Sequence, residues 1–259
     1  MARSDSGAAA PRTTPLRHGC GHPHHCPEPV RLRVLARTPL FRGLGDDVIA
    51  DVDSRMAAHA WAGGEHLYVE GDPAEELFVL ASGRAKVLRT SPDGVETILD
   101  VLGPGDLFGG LTTLGVTRHG ESVRALQTTC ALRIGAVEFR ALLADHPEVA
   151  VRAFDEVAAQ LHEVRGLFSA TTTGTVAQRV AHVLLRLAAK FGETRPQGLV
   201  IQVPLSRADI AAMAGSTTES VSRAMSAMRR DGLIDSGRKW TSLLDTAGLR
   251  ELSGECAVD

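Results

Sequence analysis

The sequence predicts an α+β protein with an N-terminal antiparallel jelly-roll barrel, a long dimerisation helix and a C-terminal winged helix-turn-helix. Turn signals recur at nearly even spacing between residues 67 and 134, which is typical of short antiparallel strands. Apolar residues then repeat in steps of four and three, as on one face of a helix. Two short capped helices and a hairpin pattern follow. We therefore expect four segments: 1–30, 31–146, 147–173 and 174–259.

The composition is that of a globular chain. Hydrophobic residues make up 44% and charged residues 23% of the 259 positions, which is enough apolar mass for a sizeable core. The glycine, proline and cysteine contents exclude a fully disordered chain, a collagen-like repeat and a disulfide scaffold. No apolar run is long enough to span a membrane, and the N-terminus lacks an apolar signal segment. We expect a cytoplasmic protein with no membrane partner.

The barrel is predicted from short apolar runs that lie between the turn signals. The predicted strands are Leu77–Leu80, Ala85–Leu88, Thr97–Leu102 and Cys130–Ile134. Strands of this length and spacing favour a small double-sheet or jelly-roll barrel.

A long helix is predicted after the His146-Pro147 step. Its apolar residues follow the alternating steps of a coiled-coil seam: Ala150, Phe154, Val157, Leu161, Val164 and Phe168. Because a single narrow apolar stripe is best buried against an identical helix, we expect a parallel homodimer. The alternative is that the stripe packs on the chain's own barrel.

The C-terminal segment has the order of a helix-turn-helix. The predicted elements are a helix Val176–Phe191, a strand Leu199–Val203, and two helices Arg207–Ala214 and Thr217–Arg230. Ser206 begins the first short helix with a capping-box spacing to Asp209, and Ser216 is expected to cap the second. Gly215 lies in the turn between them, at the length that a DNA-binding helix pair requires.

The exposed face of the second short helix carries groups that suit base edges. Glu219, Ser222 and Arg223 lie at i, i+3 and i+4 and project together. Arginine bonds guanine, glutamate accepts from a cytosine amine, and serine bonds either kind of edge. Thr217 and Thr218 are placed to reach phosphates. Singly, Glu219 is explained equally well by a capping box and Arg223 by a solvated cation, but the combination favours DNA.

Charge is distributed unevenly along the chain. Residues 174–240 carry ten cations and five acids, a net charge of +5, whereas the whole chain has a net charge of −3. A basic module on an acidic body is typical of nucleic-acid binders. The segment from Gly232 to Thr241 is predicted as a hairpin whose tip, Arg238 and Lys239, forms a wing that contacts the DNA backbone.

The order of these elements resembles the CRP/FNR family of transcription regulators over residues 31–245. The resemblance is carried by Pro39-Leu40-Phe41-Arg42-Gly43-Leu44, Gly105-Asp106-Leu107-Phe108-Gly109, Leu205-Ser206-Arg207-Ala208-Asp209-Ile210-Ala211 and Glu219-Ser220-Val221-Ser222-Arg223. It implies a cyclic-nucleotide-binding-like barrel, double-stranded DNA and RNA polymerase as partners, and no enzymatic activity. The recognition helix looks like that of the FNR branch, which reads a TTGAT inverted repeat. Thr218 stands where branches that follow cyclic AMP usually place arginine.

The resemblance also implies where an effector would bind. The family's cyclic-nucleotide pocket uses a Gly-Glu-Leu run followed by Arg-Ser or Arg-Thr. Here the run is Gly109-Gly110-Leu111, which lacks the acid, and His119 follows Arg118. We keep cyclic nucleotide as an alternative effector, beside regulation without an effector.

A metal centre is the other sensor that the resemblance implies, because the FNR branch holds an iron-sulfur cluster between N-terminal cysteines and one barrel cysteine. Cys20 and Cys26 precede the barrel and Cys130 lies on a late strand. One imidazole of the neighbouring histidines could complete the set: His22, His24 or His25. We therefore expect redox, oxygen or nitric oxide sensing. Zinc, haem and no metal at all, with Cys130 an ordinary core residue, remain open.

A metal-dependent jelly-roll enzyme is the remaining alternative. Such enzymes need two or more histidines and a carboxylate that converge inside the barrel. The barrel histidines considered are His59, His66 and His119, and they form no His-x-His pair. We therefore expect a protein that is not an enzyme.

Overall fold

A computed structural model describes residues 26–111, 115–158, 174–196 and 198–254. The helices are α1 Glu28–Leu35, α2 Asp46–Ser54, α3 Ala136–Asp145, α4 147–158, α5 Val176–Phe191, α6 Arg207–Met213, α7 Thr218–Arg230 and α8 Thr246–Ser253. The strands are β1 Ala57–Trp61, β2 His66–Tyr68, β3 Glu76–Ser82, β4 Ala85–Thr90, β5 Glu96–Leu102, β6 Leu107–Gly109, β7 Ser122–Ala125, β8 Thr129–Gly135, β9 Gly192–Arg195, β10 Gly198–Ile201, β11 Ile234–Gly237 and β12 Trp240–Leu243. Among the described helices, none is long and apolar enough to cross a bilayer.

The first eight strands form the predicted jelly-roll from two antiparallel sheets. Their orders are β1-β8-β3-β6 and β2-β7-β4-β5. The sequence analysis identified β3, β4, β5 and β8 and missed the other four. Those four are only three to five residues long, so their local strand signal is weak, and they are strands because tertiary pairing selects them.

Strand β3 has apolar side chains on both of its faces. Leu77 and Val79 belong to one buried cluster, which also contains residues of α1 and α2. Phe78 and Leu80 belong to the other cluster, with Tyr68 and Phe108. Because consecutive side chains point to opposite faces of a strand, burial on both faces explains why this segment is a continuous apolar run.

Helix α4 has apolar residues on two sides, one buried against the barrel and one exposed. Val149 is fully buried and Ala153 packs against the same barrel cluster. Phe154 and Val157 are 75% and 59% exposed. Within the described part of the chain, the predicted seam therefore does not pack on the chain's own barrel. The other seam residues, Leu161, Val164 and Phe168, lie outside the described residues.

The C-terminal domain is built around α5. The apolar face of α5 is buried against α6, α7 and the sheet β11-β12-β10-β9. Strand β10 ends at Ile201, two residues before the predicted end. The reason is that Ile201 pairs with Gly192, the first residue of β9, which directly follows α5, so no residue of β9 remains to pair further on.

The second short helix begins one residue later than expected. Thr217, not Ser216, is the N-cap of α7, and its hydroxyl accepts from the Ser220 amide at 3.2 Å. The Ser216 amide instead donates to the carbonyl of Ala211 at 3.0 Å, within the turn. Glu219 consequently closes no capping box and is available to other partners.

Ion pairs join the barrel to the C-terminal domain. Lys86 Nζ of β4 lies 2.7 Å from Asp209 Oδ1 of α6. Lys190 Nζ of α5 lies 2.9 Å from Asp100 Oδ2 and 2.8 Å from Asp106 Oδ2. Leu88 and other apolar residues of β4 and β5 belong to the same buried cluster as α5 and α6. One buried cluster thus spans both halves of the chain.

Met225→Ala should destabilise the C-terminal domain, because Met225 is 1% exposed and packs in its core. We expect a loss of about 2 to 5 kcal/mol in the free energy of unfolding, measured by urea denaturation. Ser226→Ala, at the neighbouring exposed position, is the matched control and should change it by about 0.5 kcal/mol or less. Equal stabilities of the two variants would mean that this face of α7 is not buried.

Lys86→Gln should cost about 2 kcal/mol of unfolding free energy at neutral pH, because it leaves a half-buried carboxylate without its charged partner. The pKa of Asp209 lies below its ordinary value in the folded protein. The contribution is therefore complete above the unfolded pKa of about 3.9 and is lost as the pH falls through the folded pKa. The difference from wild type should be constant from pH ~7 to ~5 and shrink below pH ~4.

Arg89→Gln is the matched control for that experiment, because Arg89 lies on the same strand in an exposed ion pair with Glu70. We expect a change of about 0.5 kcal/mol or less. A Lys86→Gln effect that does not depend on pH would contradict a contribution from the ion pair.

Candidate nucleic-acid interface

Helix α7 is held by one face and presents the other. Val221, Met225 and Met228 are 0%, 1% and 2% exposed and belong to the core around α5. Their spacing of four and three places them on one side of the helix. The opposite side carries Glu219 and Arg223, which are both exposed. The packing of α7 therefore determines which side chains point outward.

The outward side chains of α7 are linked to one another. Arg223 Nη1 donates to Glu219 Oε1 at 2.6 Å, and Nη2 donates to Ser220 Oγ at 3.3 Å. The half-buried Ser222 donates its hydroxyl to the carbonyl of Thr218 at 2.8 Å. An exposed i, i+4 ion pair contributes only about 0.5 kcal/mol. Breaking the ion pair between Arg223 and Glu219 therefore costs little free energy, so both side chains can bond base edges instead.

Helix α6 is fixed at its first turn. The Ser206 hydroxyl accepts from the Asp209 amide at 3.1 Å, and the Ser206 amide donates to Asp209 Oδ2 at 2.8 Å, so the predicted capping box is present. Burial alone would raise the pKa of Asp209, but hydrogen bonds from Lys86 and Ser206 outweigh it and lower that pKa. Asp209 therefore stays ionised and ties the start of α6 both to its own cap and to the barrel.

The predicted wing is the hairpin of β11 and β12. Its tip consists of Arg238 and Lys239, both exposed. Lys239 has φ = 64°, the left-handed conformation that glycine and asparagine adopt with less strain than lysine. The hairpin therefore carries its two cations on a turn that faces solvent.

The basic excess of this domain is smaller at the surface than in the sequence. Arg186 and Lys190 form ion pairs with Asp100 of the barrel, and Arg179 donates hydrogen bonds to backbone carbonyls. Arg195 and Arg229 pair with acids of their own domain. In the described part of residues 174–240, the exposed cations that form no ion pair are Arg230, Arg238 and Lys239. Two of these three lie at the tip of the wing.

A cleft of about 750 Å³ lies beside the barrel, and of the candidate effector residues Gly109 lines it. Its barrel side includes Tyr68, Phe108, Gly109 and Glu121, and Lys190 of α5 lies at its other side. Tyr68 donates its hydroxyl to Glu121 Oε1 at 3.3 Å. Burial raises the pKa of the Tyr68 hydroxyl far above its ordinary value, so the phenol stays protonated.

The candidate effector residues lack the acid that the family's cyclic-nucleotide pocket uses. A Cβ at Gly110 would lie 2.8 Å from Val116 Cγ1, so this position offers neither an acid nor open space for one. Arg118 Nη1 donates to the Gly71 carbonyl at 2.5 Å, and Leu111 is fully buried.

His119 also offers no charged ligand to this region. Its ring stacks on Tyr68 with a centroid distance of 3.7 Å. Burial lowers the pKa of His119, more than the nearby acids Glu121 and Asp72 raise it. The imidazole therefore serves the packing of the barrel.

Two of the candidate metal ligands share one core. Cys26 and Cys130 are 2% and 0% exposed and belong to the same buried cluster, although 104 positions separate them. Cys20, His22, His24 and His25 lie outside the described residues. Within the ranges that the structure describes, no three histidine, cysteine or acidic residues are grouped to hold a metal.

Sequence reasoning missed the residues that connect the two domains. Lys86 lies in a strand pattern and Asp209 in a capping pattern, so each had a complete local explanation. A lysine on an otherwise apolar strand segment, Ala85 to Leu88, was the available signal, because a buried cation requires an acidic partner. The identity of that partner depends on tertiary structure.

Comparison with known proteins agrees with this architecture. The model of the Crp-like helix-turn-helix domain matches residues 178–252, and that of the cyclic nucleotide-binding domain matches residues 59–146. The transcriptional regulator LdrP of Thermus thermophilus is 32% identical over 73% of this chain and 93% of its own length. A CRP-like cAMP-activated global transcriptional regulator of Mycobacterium tuberculosis is 28% identical, over 78% and 90%.

A solved structure extends the likeness to three dimensions. A CRP-family transcriptional regulator from Thermus thermophilus is 30% identical and superposes with a TM-score of 0.64, covering 76% of this chain and 97% of its own. Both domains and their order are thus shared with transcription regulators. The chain belongs to the CRP/FNR family of transcription regulators.

Proposed function

We propose that this regulator binds, as a homodimer, an inverted repeat of TTGAT-like half-sites through α7. The observation that carries the proposal is the exposed face on which Glu219, Ser222 and Arg223 lie together, fixed from behind by the α5 core. A bidentate arginine suits the guanine of such a half-site, and a glutamate suits the cytosine amine of the complementary strand. The cap residues Thr217 and Thr218, with Ser206, are placed for phosphates.

The homodimer is supported by the exposed apolar side of α4. Phe154 and Val157 project away from the barrel, whereas Val149 and Ala153 face it. A helix with one face on its own domain and a second apolar face outward is suited to an identical helix. Two copies would place two recognition helices on one side of the duplex, which requires half-sites one helical turn apart.

The remaining parts of the proposal follow from family membership and from composition. We propose that residues 31–146 sense the signal, that residues 147–173 form the dimer contact, and that residues 174–259 bind DNA. Within the last segment, Arg238 and Lys239 would contact the DNA backbone. RNA polymerase is the expected protein partner and the cytoplasm the expected compartment, with no enzymatic reaction. A cyclic-nucleotide-responsive or effector-independent regulator is the alternative.

Arg223→Ala should reduce affinity for a TTGAT duplex by about 5- to 150-fold, equivalent to about 1 to 3 kcal/mol for one bidentate base contact. Preference at the guanine should relax. Arg230→Ala, which removes an exposed unpaired cation from the same helix, is the matched control. It should weaken specific and scrambled duplexes equally. Titrations by fluorescence anisotropy at two salt concentrations measure both effects. Unchanged discrimination in Arg223→Ala would contradict base reading by α7.

We propose, as a second candidate function, that an iron-sulfur cluster makes the regulator responsive to redox state, oxygen or nitric oxide. The favouring observation is that Cys26 and Cys130 are buried in one cluster, on the segment before the barrel and on β8. Thiolates are the ligands that such clusters require. When bound, the cluster would supply an oxidisable centre. Cys26 would then connect the N-terminal segment to the barrel.

The cluster proposal predicts iron and acid-labile sulfide in protein purified without oxygen. Cys130→Ala should lose both and Cys256→Ala should keep both, because Cys256 lies in the C-terminal tail, away from the proposed ligands in the sequence. Metal analysis and the absorption spectrum before and after air exposure provide the measurement. Zinc without sulfide, a haem spectrum or a metal-free protein would contradict an iron-sulfur centre.

A further inference from the structure

A second cavity lies inside the C-terminal domain, beneath the tip of the wing. Its volume is about 310 Å³, at the lower end of the range for small-molecule sites. Its floor is formed by aliphatic side chains from α5, β10 and the start of α6. The principal ones are Leu184, Leu187, Ile201, Val203, Leu205 and Ile210.

The charged residues that line this cavity, here called its lip, are all cations. Arg207, Arg238 and Lys239 line it, and no lining residue is an acid. Arg207 Nη2 donates to Ser236 Oγ at 3.0 Å, and its other amino group contacts the sulfur of Met225. Within the described residues Arg207 forms no ion pair although it is partly buried. An anion in the cavity would therefore have cationic lining residues near it and no carboxylate to displace.

Residues of the wing tip line this cavity. Trp240 lines the cavity, and its indole packs so closely on Gly237 that a Cβ there would overlap the ring. Lys239 is the one residue other than glycine with a left-handed backbone in the described chain. A glycine would relieve that strain but would remove a charge from the lip, which suggests that the charge is used.

We propose that this cavity binds a small amphipathic anion, a monocarboxylate with a short aliphatic chain. The carboxylate lies between the cations of the lip and the chain lies on the aliphatic floor. A DNA phosphodiester satisfies the lip but has no apolar part for the floor, so DNA alone does not account for the lining. This part of the inference rests on the proposed DNA contacts of Arg238 and Lys239. If those contacts exist, the ligand competes with the DNA backbone and lowers the affinity for DNA.

Octanoate is the probe for the site, and Trp240 is the reporter. The chain has two tryptophans, so Trp61→Phe leaves Trp240 alone as the fluorophore. Octanoate should change the emission saturably at constant ionic strength. Octanamide, with the same chain but no charge, should bind at least tenfold more weakly. Equal affinities, or no saturable change with octanoate, would overturn the site.

Leu205→Phe fills the aliphatic floor without altering any charge and should abolish the octanoate response. Leu185→Phe, at a partly buried position of α5 that does not line the cavity, is the matched control. Circular dichroism verifies that both variants fold. An unchanged octanoate affinity in a folded Leu205→Phe would overturn the assignment. If that variant does not fold, the comparison between octanoate and octanamide decides alone.

Competition with DNA is tested separately, so the two proposals can fail independently. Octanoate should lower affinity for the TTGAT duplex in the wild type but not in Leu205→Phe, and octanamide should not lower it in either. Octanoate binding without any effect on DNA would overturn the competition. Intact, specific DNA binding with no octanoate response would overturn the ligand site and leave the proposed function standing.

Discussion

The packing of α7 on α5 is the interaction on which the surface proposed to bind DNA depends. Three side chains, Val221, Met225 and Met228, fix the rotation of α7 about its own axis. That rotation places Glu219 and Arg223 in solvent, where they hold each other in a weak ion pair. A helix that reads bases needs side chains whose directions are fixed before DNA binds. The apolar stripe on the opposite face of α7 fixes these directions without using any of the polar groups.

The ion pairs between the domains show where the positive charge of the C-terminal domain is used. Lys190 forms ion pairs with Asp100 and Asp106, and Lys86 of the barrel forms one with Asp209. These groups lie beside the buried cluster that barrel and C-terminal domain share. Because an unpaired buried charge is costly, the pairs favour one arrangement of the two domains over others. They also leave the wing as the main exposed source of positive charge.

The candidate site divides into parts that sequence could and could not locate. The α5 helix is found from Val176 to Phe191 as predicted, because periodicity over sixteen residues is a strong signal. The N-cap of α7 was wrong by one residue, since Ser216 and Thr217 are equally good caps and the turn geometry chooses between them. Four barrel strands were missed because their pairing is long-range, and so was the Lys86–Asp209 pair for the same reason.

By itself the sequence determined the order of barrel, helix and helix-turn-helix, and the outward residues of α7. Periodicity, caps and turn residues are local properties of the sequence, so they can be recognised without knowing which distant residues are in contact. Tertiary structure decided which cations stay exposed, that Cys26 and Cys130 share one core, and that a cavity with a cationic lip lies beneath the wing. Each of these depends on residues far apart in the chain, whose proximity is set by packing and not by spacing.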